Sequence, residues 1–417
     1  MRLVVFTYAL AGLGHLRVTD ALVDSLPKDV PYELLGSSGV VTGFHRFISV
    51  NPWAKMMSEA FQYGLLEDLF TKVYVWSLRH STSDISKKIV EIIRKHPETD
   101  GVTVVATHFG LAHQIAQIKS EIKRKTGKDI VLAVQVTDDS SQHIWCVRGA
   151  DLTMVPSKQT RIELESYAKS KGIQLNCEVS PYPVSPILAS KSDKGGQARW
   201  EALAKESDKV INVMVPISGA AVGLIYLTNL LQEIDKLSKR FHFWIVAKRS
   251  KHTQAFLALM GALKWVQVVT GKSDREVVNL YEKVYQDNLI HLEITKPSEQ
   301  SFKALIPPTM TGGSLLMFIS PVGRQEYDNL RFLLRHRLIA PISDCGPESE
   351  VRHHLRGAIL PDNPVEAARK VVECLNKGAF EKMVKGFEYS SESLMTGEVD
   401  EKGTWLFWEK LRVLGWV

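Results

Sequence analysis

The sequence predicts an α/β protein of two similar domains, each built on a parallel sheet and facing the other across a cleft. Three observations carry that prediction. Short β-rich apolar runs alternate with helical patterns along nearly the whole chain. A polar stretch, ASKSDKGGQA at 189–198, interrupts the alternation once, and the pattern then restarts. The 417 residues also exceed what one hydrophobic core ordinarily holds.

In the first half the strands are RLVVFTY (2–8), TVVATHF (103–109), IVLAVQV (130–136) and LTMVPS (152–157). Between them SDISKKIVEIIRKH (83–96) reads as a helix, because Ile85, Ile89, Ile92 and Ile93 share one face and Pro97 follows the end. The spacing argues for a parallel sheet covered on both faces. The first domain spans 1–188 and a linker 189–207. From 208 to 385 the strands are KVINVMVPIS (209–218), FHFWIVAK (241–248), WVQVV (265–269), NLIHLEI (288–294) and LLMFIS (315–320). Ligands of such sheets bind beyond the carboxyl ends of the strands, which places the site in the cleft.

Composition narrows the function classes. Apolar residues make up 45% and charged residues 24%, the proportions of an ordinary globular protein. Charged residues interrupt each apolar run before it could span a bilayer, and the N-terminus lacks the pattern of a signal peptide. The four cysteines are scattered without metal-ligand spacing, so reduced thiols and a cytoplasmic location are expected. The net charge of +6 is mild. Its densest clusters, EIKRKTGKD, AKRSKH and RFLLRHRL, lack interleaved aromatics; solvated helix faces explain them better than nucleic-acid binding does. Peripheral contact with an anionic inner membrane face stays open. Trp53, Met56, Met57, Ala60, Phe61, Leu65, Leu69 and Trp76 fall on one helical side. A core-facing helix is the favoured account, and a membrane-lying helix the alternative. The tail WLFWEKLRVLGWV (405–417) presents the same choice.

Five stretches carry candidate chemistry. AGLGHLR places Gly12, Gly14 and His15 where the first strand turns into a helix, whose N–H groups welcome anions; a quiet βα turn with a capping histidine is the alternative. The second domain opens alike, with Ser218, Gly219 and Gly223 behind a strand. ITKPSEQSFKAL (294–305) runs from a strand end through a polar loop into a helix start. SPVGRQEYDNLRFLL (320–334) brings Gln325, Glu326, Asp328 and Asn329 to a first turn. Amides and carboxylates there suit a sugar's hydroxyls, although they also cap helices. VTDDSSQHIW sets Asp138, Asp139 and His143 beyond a strand, where an acid beside a histidine suits general-base work or loop capping. Neither a metal site nor a hydrolase triad is indicated.

Taken together, these loops resemble the GT-B glycosyltransferases, nearest the branch of the peptidoglycan lipid-intermediate N-acetylglucosaminyltransferase and the diacylglycerol glycosyl synthases. GLGHLR resembles that group's glycine-rich loop with its histidine. VTDDSSQHIW followed by ADLTMVPS resembles its "TD…H…W…D…PS" segment, and YPVSPIL its run into the linker. ITKPSEQSFKAL resembles the nucleotide-binding "TKPG" loop, and GRQEYDNLRFL the sugar-binding segment.

The resemblance implies two facing Rossmann-like domains and a C-terminal segment, 386–417, that packs back on the first domain. It implies a metal-independent, cofactor-free, inverting hexosyltransferase. The donor would be a nucleoside-diphosphate sugar, with UDP-sugars the expected series, and the acceptor a hydroxyl, including that of a lipid. Ser218 and Gly219 would approach the diphosphate, and Lys296, Pro297, Ser298, Glu299, Gln300 and Ser301 would line the nucleotide. Gln325, Glu326 and Asn329 would hold the sugar. His15 is the first choice as base or phosphate-side donor, with Asp138 and Asp139 the runners-up. The family's ribose-gripping glutamate falls in register with Ala304. An epimerase or hydrolase on the same scaffold, or a non-catalytic nucleotide-sugar-binding subunit, is the alternative.

Overall fold

Apolar runs with β-branched residues form strands that are buried almost end to end, which is what a sheet covered on both faces requires. The computed structural model describes residues 1–9, 13–36, 64–192, 195–219, 221–341 and 355–417. The chain divides into two units, Met1–Pro183 with Lys402–Val417, and Val184–Glu401.

In the first unit β1 (Arg2–Tyr8) leads into α1 (Leu13–Asp24) and β2 (Tyr32–Gly36). Then come α2 (Gly64–His80), α3 (Ser83–Lys95), β3 (Gly101–Ala106), α4 (Phe109–Thr126) and β4 (Asp129–Gln135). A single 3-10 turn, His143–Trp145, precedes β5 (Leu152–Val155), α5 (Lys158–Ser170) and β6 (Cys177–Val179). The strands pair in parallel in the order β2-β1-β3-β4-β5-β6. Because β2 lies on one side of β1 and β3 on the other, the order reverses between β1 and β3. That gap is the sheet's switch point.

The second unit runs α6 (Gly195–Leu203), β7 (Ile211–Pro216), α7 (Leu224–Leu237), β8 (Phe241–Lys248), α8 (Gln254–Gly261) and β9 (Val266–Gly271). It continues with α9 (Asp274–Asp287), β10 (Leu292–Thr295), a 3-10 helix at Glu299–Leu305, β11 (Leu315–Phe318) and α10 (Arg324–Arg335). Short β12 (Ile339–Pro341) and β13 (Gly357–Ile359) precede α11 (Pro364–Asn376), α12 (Ala379–Lys385) and α13 (Ser391–Thr396). The order β12-β13-β11-β10-β7-β8-β9 is parallel throughout, and its switch point lies between β7 and β10.

The last helix, α14 (Gly403–Val413), belongs to the first unit. Phe407, Trp408 and Leu411 are buried, and Trp408 Nε1 donates to the Leu22 carbonyl at 3.0 Å. Burial explains these tail residues, whereas Trp405 stays exposed.

Two expectations are corrected. After TKPS the chain forms a 3-10 helix rather than the start of an α-helix, because Pro307 and Pro308 follow at once and cannot continue a hydrogen-bonded ladder. Leu69 and Trp76, the two described side chains of the apolar stripe expected to face the core, do not face it. In α2, Leu69 and Trp76 are 61% and 63% exposed, together with Leu66 and Val73. The inward face of that helix carries Glu67, Thr71 and Leu78 instead. Glu67 is drawn in because its Oε1 accepts from the His143 backbone N–H at 2.9 Å. Trp53, Met56, Met57, Ala60 and Phe61 lie outside the described residues, as does the side chain of Leu65.

Candidate functional site

At the first unit's switch point, α1 begins behind β1 and α4 behind β3. His15 stands in the first turn of α1, one residue after Gly14; Gly12 lies outside the described residues. His15 Nδ1 is 2.7 Å from the Thr107 carbonyl, at the end of β3. A carbonyl can only accept, so Nδ1 carries the proton, and in the neutral ring Nε2 is left with the lone pair. Thr137 Oγ1, beyond β4, lies 3.3 Å from the same Nδ1. Thr19 Oγ1 contacts Thr107 Oγ1 at 2.8 Å and donates to the His15 carbonyl at 2.8 Å. The carboxyl ends of adjacent strands thus fix one imidazole in tautomer and orientation.

Around that ring stand His108, Phe109 and Trp145, with centroids 5.0, 6.4 and 6.3 Å away. Sequence reasoning passed over His108. It is fully buried, and its Nδ1 accepts from Gly110 N at 3.2 Å, capping α4. The strand end followed by a glycine in THFG was its available signal.

The acidic candidates divide. Asp138 is half-buried at the end of β4. Asp139 is buried, and its Oδ1 accepts from Ser157 Oγ and, at 2.7 Å, from Thr160 Oγ1 at the start of α5. A carboxylate satisfied at a helix N-terminus is a structural anchor. His143 stacks on Tyr167 at 3.7 Å and lies 3.8 Å from Glu67 Oε2, so it ties the 143–145 turn to α2 and α5.

In the second unit the predicted loops flank the switch point between β7 and β10. Ser218 and Gly219 follow β7 and are exposed. A Cβ at Gly219 would meet nothing within 4 Å, so this chain's own packing does not require the glycine there. Gly223, at φ 83°, caps α7 in the left-handed region that favours glycine.

Behind β10, Lys296 reaches to 4.0 Å of Glu326 Oε2, and both side chains are largely buried. Asn329 Nδ2 donates to the Pro297 carbonyl at 3.2 Å. The structure therefore joins two predicted segments, the TKPS loop and the first turns of α10. Glu326 also accepts from Val322 N, the capping role weighed from sequence. Ser298, Glu299 and Gln325 are half-buried. Gln300 and Ser301 are instead drawn into the core, along with Pro297. Gln300 Oε1 lies 3.1 Å from Tyr281 OH, and Ser301 Oγ has no hydrogen-bond partner among the described residues. Ala304 is fully buried, so this position offers no surface from which a side chain could grip a ribose.

Among the described residues no three His, Cys, Asp or Glu side chains gather as a metal site would need, and no helix is long and apolar enough to cross a membrane. Cys146, Cys177 and Cys374 are buried and in no disulfide among the described residues; burial pushes the Cys146 thiol up to about 11 and the Cys177 thiol to about 12.

No protein-family model matches the chain, and no curated protein matches it. Solved structures do. The S. aureus MnaA–UDP co-structure aligns with a TM-score of 0.53 at 10% identity, over 100% of this chain and 98% of that one. A Listeria monocytogenes protein assigned as a UDP-N-acetylglucosamine 2-epimerase aligns with a TM-score of 0.51 at 10% identity, over 95% and 93%.

The chain has the GT-B fold. At such identities the likeness speaks for the architecture alone. In the GT-B frame each Rossmann-like unit presents its own switch point, one with a histidine held by backbone, the other with an exposed glycine loop after β7 and a lysine after β10.

Proposed function

We propose that the protein transfers a sugar from a nucleoside-diphosphate sugar to a hydroxyl acceptor, with inversion and without a bound metal or other cofactor. The observation that carries this reading is His15, whose Nδ1 proton is committed to the Thr107 carbonyl, so that Nε2 is the basic nitrogen. Nε2 takes the acceptor's hydroxyl proton while the oxygen forms a bond to the anomeric carbon. The bond from that carbon to the diphosphate oxygen breaks, and the electron pair leaves with the nucleoside diphosphate. Amides of the 218–219 loop and the ammonium of Lys296 neutralise the departing charge. Gln325 and Glu326 orient the sugar's hydroxyls, and Asn329, fully buried, holds the TKPS loop through the Pro297 carbonyl. The UDP complex of the S. aureus structure supports a uridine nucleotide as the donor's carrier.

The outward face of α2 supports a lipid acceptor and peripheral contact with the inner face of a cell membrane. Leu66, Leu69, Val73 and Trp76 form one exposed apolar stripe, and Lys72 stands exposed beside it.

The test is release of nucleoside diphosphate from a panel of nucleotide sugars, with and without lipid and soluble acceptors. Release that requires acceptor is expected. Release or isomerisation without acceptor would instead establish the hydrolase or epimerase alternative, and tight binding without turnover the non-catalytic one.

A further inference from the structure

A cluster of charge lies buried beneath the TKPS loop. Glu293, in the middle of β10, is fully buried between neighbours β7 and β11. Its Oε2 accepts from Lys303 Nζ at 2.6 Å, Tyr285 OH at 2.6 Å and Tyr281 OH at 2.7 Å. Lys303 Nζ also donates to Tyr285 OH and reaches Ser314 Oγ at 3.4 Å. Tyr281 OH lies 3.1 Å from Gln300 Oε1. Arg356, fully buried, donates from Nη2 to the Ser314 carbonyl at 3.1 Å.

A charge in the central strand of a sheet is costly, and a buried ion pair seldom repays its desolvation. The cost here is visible. Glu293 Oε1 and the Nε and Nη1 of Arg356 are buried without partners among the described residues. Burial pulls the Lys303 ammonium down to about 8, against the attraction of Glu293. Apolar side chains would pack this sheet more cheaply, so fold stability does not account for the pair.

The cluster joins three elements. Glu293 belongs to β10, Tyr281 and Tyr285 to α9, and Gln300 and Lys303 to the 3-10 helix. That helix is seven residues long, and 3-10 helices of such length are weakly held by their own hydrogen bonds. We propose that the Glu293–Lys303 pair, with Tyr281, Tyr285 and Gln300, is a positioning element. It fixes the 299–305 helix at one depth against β10 and thereby sets the backbone of residues 296–299 for the nucleotide diphosphate. The ligand rests on the function proposed above; the clamp itself does not.

Two measurements test it. In the unliganded wild-type protein, amide exchange of 301–306 should be as slow as that of β10, within about tenfold. Exchange about 100-fold or more faster than β10 overturns the proposal, whatever the protein binds. Replacing both charges (Glu293→Met with Lys303→Met) should preserve the fold, speed exchange across 296–306 at least tenfold and weaken UDP binding at least tenfold. Lys303→Arg with Glu293 retained should keep most of that affinity. A folded double variant with unchanged exchange overturns the proposal. Should the double variant not fold, the wild-type exchange comparison decides alone. Wild-type protein that shows the slow exchange but binds no nucleoside diphosphate leaves the clamp standing and removes the function proposed for its loop.

Discussion

His15 and Asp139 make opposite predictions although both follow strands of one sheet. His15 acts through a lone pair, so His15→Ala should lower turnover by roughly 10²–10⁴-fold and leave nucleotide affinity nearly unchanged. Full activity in that variant rules out the assignment. Asp139 acts through the hydroxyls it holds, those of Ser157 and Thr160. Asp139→Ala leaves their O–H donors without that acceptor and should cost about 1–3 kcal/mol of stability, read as a lower denaturation midpoint. A large rate loss with an unchanged midpoint would return Asp139 to the list of bases. Two other histidines set an acid limit. Burial lowers His113 to about 4 and His291 to about 3, from the ordinary 6.5. The unfolded chain therefore binds these protons first. Their contribution is complete above about pH 6.5 and is lost as pH falls toward those values, at about 1.4 kcal/mol per pH unit for each. Denaturation midpoints should fall steeply between pH 6.5 and 4.5, and His291→Gln should flatten that slope.

At the scale of the element, α2 is amphipathic in an unusual way: it buries Glu67 and Thr71 beside Leu78 and turns an apolar stripe outward. Leu66, Leu69, Val73 and Trp76 occupy positions three or four residues apart, the spacing that makes one stripe. Such a face contributes little to the fold, so Leu69→Glu with Val73→Glu should leave the thermal midpoint nearly unchanged. The same pair should abolish flotation with anionic liposomes, which the wild type is expected to show. Wild-type protein that floats with no liposome removes the membrane reading. Loop elements follow a different logic. The TKPS loop and α10 are tied by Asn329 to Pro297 and by Lys296 to Glu326, so Asn329→Ala should loosen donor binding without unfolding α10.

Across the whole molecule, legibility followed burial. Long apolar runs announced their strands; RLVVFTY and FHFWIVAK were bounded as the structure bounds them. β2, β6, β12 and β13 were not read, since strands of three to five residues carry too little pattern and three of the four lie at sheet edges. The candidate loops were legible because glycine, lysine and polar residues cluster after strand ends. Their inward turns were not. Gln300, Ser301 and Lys303 are polar in sequence yet buried, a consequence of the 3-10 helix and of Glu293 beneath it. A lone glutamate in the apolar run NLIHLEI was the available sign. The outward stripe of α2 was likewise hidden, because periodicity marks an apolar face without saying what it meets.

The central claim is that the second unit binds a nucleoside diphosphate carrying a sugar. Thermal denaturation against UDP, other nucleoside diphosphates and their sugars tests it most directly. Saturation at 100 times Kd adds about 2.7 kcal/mol to the folded state, a rise of about 5–11 °C for a unit of this size. One diphosphate series should give that rise, and Lys296→Ala should diminish it. No rise with any series, at millimolar ligand, would contradict the account.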